Sequence, residues 1–176
     1  MNRYILLVVA AGVLFWPVSG ALAASDGDAC AMLQKVDVEA AFAPRTFDSG
    51  KPGFAMKASK SNAAVSSCTY TSKDAMARDR VTVSLKVRRA PSDETGITPA
   101  AAKDGAAQLK ARPVDVPAAG QGAYWVSLGS SALPSIQLNV FRGKRDWLIF
   151  SSSARTLDND AVLAGLTKVA KATAVR

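Results

Sequence analysis

Two cysteines, Cys30 and Cys68, and a complete absence of histidine bound the chemistry open to this 176-residue chain. Without imidazole there is no Ser-His-Asp or Cys-His relay, no histidine-ligated zinc and no ordinary charge switch near neutral pH. Two thiols alone make half a zinc site. In an exported chain, which the N-terminus below predicts, an even cysteine count points to a Cys30–Cys68 disulfide, with two buried free thiols as the alternative. The carboxylates are scattered. Asp37 and Glu39 are two apart on a predicted helix and do not share a face. Asp158 and Asp160 suit helix capping, and nothing near Asp93-Glu94 repeats the ligand spacing of a calcium loop. The Gly-Lys and Gly-Gln-Gly stretches lack the spacing and ending of a phosphate loop. No catalytic residue, metal ligand or cofactor site is predicted.

A second group has the residue types of a binding surface. Tyr124, Trp125 and Trp147 fall in predicted strands, close in sequence to Arg142, Lys144 and Arg145. Aromatic rings on a sheet stack flat ligands, and neighbouring cations add cation–π attraction. The plainer alternative is packing, because aromatic residues favour strands and basic residues guard sheet edges. Successive strand residues point to opposite faces, so Tyr124 and Trp125 cannot enter the same core. Lys86, Arg88 and Arg89 form a second basic set at the end of another strand.

These residues need elements to position them. Asp28 can cap a helix running from Cys30 to before Pro44, with Leu33, Val36, Ala40 and Ala41 facing inward. Residues 43–64 read as a long loop with a short strand at 53–56, and 65–72 as a strand carrying Cys68. Residues 80–89 alternate strictly, Val81, Val83, Leu85 and Val87 against Thr82, Ser84, Lys86 and Arg88, which predicts a strand with one buried face. Thr98 can cap and Pro99 open a helix to about Lys110. A short strand at 114–116 and strands at 123–128, 136–142 and 146–152 follow, with Gly143-Lys144 at a hairpin turn. A helix over 157–172 has Val162, Leu166, Val169 and Ala170 inward. Strands run together rather than alternating with helices, which predicts an α+β fold: an antiparallel sheet of about five to seven strands with helices packed on it.

The N-terminus supplies an address. Arg3, an apolar run from Ile5 to Trp16, breakers at Pro17 and Gly20, and the small-x-small Ala21-Leu22-Ala23 predict a cleavable signal peptide over 1–23 and one domain over 24–176. The apolar run is short of the roughly 20 residues of a spanning helix. Cys30 follows Gly27-Asp28-Ala29, which is no lipidation motif, so no integral membrane segment or lipid anchor is expected after cleavage. The expected location is periplasmic or secreted. A formal net charge of +8 then favours an acidic protein or an anionic envelope component as partner, and export argues against nucleic acid.

Cys30, Met32-Leu33 and Val36-Asp37-Val38-Glu39 on the opening helix, Ser67-Cys68-Thr69-Tyr70 on a strand, Gly120-Gln121-Gly122-Ala123-Tyr124-Trp125, and a strand pair reading FRGKRDWLIF together resemble small bacterial envelope proteins of unknown function. Many of these are lipoproteins, often with a PsbP-like αβα sandwich. The resemblance implies that fold and the disulfide, and carries over no catalytic residue; the lipidated cysteine is missing here. The function expected is that of an exported, non-enzymatic binding or accessory protein. The alternatives are an inhibitor or immunity-type protein for another exported protein, and a histidine-free hydrolase with paired carboxylates.

Overall fold

A computed structural model describes residues 28–130 and 133–174; the expected signal peptide lies outside them. Seven strands form one sheet: β1 (Lys51–Pro52), β2 (Ala64–Thr71), β3 (Thr82–Arg89), β4 (Val114–Asp115), β5 (Tyr124–Ser127), β6 (Ser135–Arg142) and β7 (Asp146–Ser153). Their order is β1-β2-β3-β7-β6-β5-β4, and every pairing is antiparallel. The helices are α1 (Ala29–Met32), α2 (Lys35–Ala41), α3 (Pro99–Gln108) and α4 (Asn159–Ala174). The α+β class and the strand number agree with the expectation.

Register explains the layers. Cys68, Leu85, Phe150, Leu138 and Trp125 are aligned across β2, β3, β7, β6 and β5 and face one side. With Val81, Val83 and Val87 they build the main core, roofed by α1, α2 and α4. The inward residues predicted for the last helix, Val162, Leu166, Val169 and Ala170, are all buried there. Gly165 lets that helix sit close, because a β-carbon there would come within 2.6 Å of the Phe42 ring. The opposite side carries α3 over one part of the sheet, through a smaller cluster of Ala102, Tyr124 and Val126. The sheet is therefore the middle of three layers.

Two expectations need correction. The predicted first helix is two, α1 and α2, with Leu33 and Gln34 in extended geometry between them. The Leu33 carbonyl accepts the Tyr70 hydroxyl at 2.9 Å, while the Asp37 amide, which a continuous helix would aim at it, donates to the Gln34 carbonyl. The break changes the helical phase. Val36, expected inside, is 65% exposed, and Val38 and Phe42 are buried instead. The short strand expected at 53–56 is displaced to β1, with an isolated bridge between Met56 and Val65. Pro52 has no N–H to donate, which suits the edge position of β1.

The Cys30–Cys68 disulfide is formed and ties α1 to β2. Asp28 caps α1 by accepting from the Cys30 amide, as expected. No helix among the described residues is long and apolar enough to cross a membrane.

Candidate functional site

The cover on the second face is thin because α3 is built from small residues. Thr98 caps it through the Ala101 amide and Pro99 opens it, but Ala102 is its one buried residue. A cleft of about 350 Å³ is left between helix and sheet. Ala102, Gly105 and Ala106 form one wall; Tyr124, Val126 and Trp147 form the floor. Leu109 and Leu128 also line it while remaining 83% and 58% exposed.

Two of the floor residues, Tyr124 and Trp147, belong to an aromatic row. The Phe141 ring stacks between Tyr124, at 6.3 Å, and Trp147, at 6.1 Å. Burial pushes the Tyr124 phenol pKa up, and the Lys103 ammonium stands 5.8 Å from that ring while paired to Asp115. Below the rings Asn139 is 0% exposed. Its Oδ1 accepts from Trp147 Nε1 at 3.1 Å and Gln137 Nε2 at 3.0 Å, and its Nδ2 is without a hydrogen-bond partner among the described residues. An unsatisfied amide donor at this depth costs about 1–3 kcal/mol. Gln137, beside it, lines the cleft. The arrangement can hold an apolar body and offers the Gln137 amide for one polar contact.

A second cavity, about 630 Å³, lies at the β6–β7 hairpin and is lined by Arg89, Asp93, Arg142, Lys144, Arg145 and Asp146. Asp146 is held by a two-point ion pair with Arg89, at 2.7 and 2.8 Å. Arg145 Nε donates to the Ala90 carbonyl at 2.9 Å. Arg142 is paired in register with Asp146, yet its Nη2 is buried without a hydrogen-bond partner among the described residues. Burial lowers the Arg142 pKa, and the Asp146 charge works against that shift. The loop before α3 is seated on this hairpin at Gly96, where a β-carbon would fall 1.7 Å from the Lys144 carbonyl oxygen.

The residues of the predicted surface fall in two places. Tyr124 and Trp147 meet in the cleft; Arg142, Lys144 and Arg145 meet at the hairpin. Trp125 joins neither, and packs partly buried against the main core on the other face. The strand-end set also divides by face: Arg88 stands opposite Trp147 in the register, and Arg89 opposite Asp146. Sequence reasoning missed Phe141, Asn139 and the small residues of α3. The signal for the first two was present, since Asn139 and Phe141 alternate with Leu138 and Val140 and so must face away from the main core.

No protein-family model matches the sequence, and neither does any curated protein at a significant level. Among solved structures, the chain is similar to the extracellular domain of PknH from Mycobacterium tuberculosis. The TM-score is 0.52 and the identity 12%, over 82% of this chain and 94% of that one. At that identity the likeness is one of fold.

Proposed function

We propose that this chain is an exported, non-enzymatic binding domain whose ligand is a small, largely apolar molecule held under α3. The cleft carries the reading. Its volume of about 350 Å³ falls in the range of small-molecule sites, roughly 300–1,000 Å³ and mostly apolar with a few placed polar groups. Tyr124 and Trp147 give an aromatic floor, and Gln137, held by the buried Asn139, is the amide that lines the cleft. Export is supported by the signal-like N-terminus and by a disulfide of the kind that persists in oxidising compartments. The similar solved structure is itself an extracellular domain. The location proposed is periplasmic or secreted.

Gly105 provides the test. It lines the cleft, and no atom lies within 4 Å of a β-carbon added there. The β-carbon of Gly105→Leu thus meets open space and the substitution adds bulk at the cleft, with helix propensity in its favour by something under about 1 kcal/mol. Titration of the purified protein with the apolar fluorophore N-phenyl-1-naphthylamine should give saturable binding that quenches or shifts Trp147 emission. Gly105→Leu should weaken it about tenfold or more, a loss near 1.4 kcal/mol. Equal affinity in both proteins would place the ligand elsewhere.

A further inference from the structure

We infer that the hairpin cavity is a separate site for a single phosphate group, presented either by a soluble phosphate ester or by a lipid headgroup. The charge count comes first. The residues lining it are four cations, Arg89, Arg142, Lys144 and Arg145, and two carboxylates, Asp93 and Asp146. Among the described residues that line it, cations exceed carboxylates by two. A phosphate monoester carries about −1.5 to −2 near neutral pH and has three acceptor oxygens, so it balances the cavity where a single carboxylate would not.

Geometry narrows the roles. Asp146 is occupied by the two-point pair with Arg89 and is not available to Arg142 in the same way. Arg142 lines the cavity with its guanidinium partly buried, its Nη2 without a hydrogen-bond partner among the described residues, and a partly desolvated guanidinium gains from an anion placed beside it. Lys144 and Arg145 stand beside it, exposed. Arg145 is fixed through Nε on the Ala90 carbonyl at 2.9 Å, which holds its stem in place. The Gly96 contact on the Lys144 carbonyl limits how far the turn can move. The site is therefore held in shape before any ligand arrives, which lowers the ordering cost of binding. It shares none of its lining residues with the cleft and stands independently of it.

The test is calorimetric titration of the purified protein with inorganic phosphate at low ionic strength. One saturable site is expected, weakened about tenfold or more by Arg142→Gln and a few-fold by Lys144→Gln, with Lys110→Gln as the exposed control that leaves it unchanged. Asp93→Asn should tighten it a few-fold, the sign expected on removing a like charge from the site. Arg142→Lys keeps the charge and loses the planar fork, so intermediate weakening is expected, and it serves if Arg142→Gln does not fold. Vesicles of phosphatidic acid, compared with phosphatidylcholine alone, separate the sources: retention that falls with Arg142→Gln assigns the headgroup, and phosphate binding without vesicle retention assigns a soluble ester. Absence of saturable phosphate binding, or equal weakening by Arg142→Gln and Lys110→Gln, would overturn the site in favour of diffuse surface charge.

Discussion

Glu39 joins α2 to the chain that follows it. Its Oε1 accepts from the Phe47 amide at 2.9 Å and lies 3.6 Å from Lys35 Nζ. Phe47 is fully buried and packs edge-on to Phe42, with ring centroids 6.2 Å apart. The carboxylate thus satisfies a backbone donor beside a core ring. The Phe47 N–H lowers its pKa most, partial desolvation opposes, and Lys35 lowers it further. A carboxylate whose folded pKa lies below its unfolded value adds stability that is present above the unfolded pKa and is lost as pH falls through the folded one. The melting-temperature gap between the wild type and Glu39→Gln should therefore be widest near neutral pH and shrink below about pH 4, the ordinary glutamate range. A gap of constant size from pH 7 to pH 3 would show that the charge is not what matters. Asp28, read from the sequence as a cap, is found in that role; Glu39 was not legible, because its partner, eight residues on, is brought to it by the turn after α2.

Among elements, α1 depends most on contacts from elsewhere. It has four residues, too few to be stable alone, since isolated helices shorter than about 12–15 residues are marginal. The disulfide to β2 and the Tyr70 hydroxyl on the Leu33 carbonyl hold it in place. The two cysteines are 38 residues apart, for which chain entropy gives about 4 kcal/mol of stabilisation. Cys30→Ser with Cys68→Ser should lower the urea midpoint accordingly, and a loss under about 1 kcal/mol would show that the main core holds this corner without the bond. The same corner marks the limit of sequence reading. The long strands and α4 were legible because burial imposes a period of 2 or 3.6 on their residues. The α1–α2 break and the two-residue strand β1 are made by partners distant in sequence and leave no period to read, whereas β4 falls inside the short strand expected at 114–116.

At the scale of the whole molecule, the layer order decides what the candidate residues can do together. Arg142 follows Leu138 and Val140 on the main-core side of β6, whereas Trp147 lies with Phe141 on the other. Residues five apart across a hairpin were expected to share a surface, and the register sets them on opposite faces. Strand alternation contained that answer, but only once Arg142 was known to pair with Asp146. The layers are also unequal. Six buried residues anchor α4 and one anchors α3. Local opening is cheapest where little apolar surface is buried, so amide hydrogen exchange in α3 should be much faster than in α4 or the central strands, and should slow when N-phenyl-1-naphthylamine is bound. Matching protection factors in the two helices of the free protein would contradict this. The sparse side chains of α3 thus carry a kinetic expectation: opening of this helix over an intact sheet would give the proposed guest a way in and out of the cleft without global unfolding.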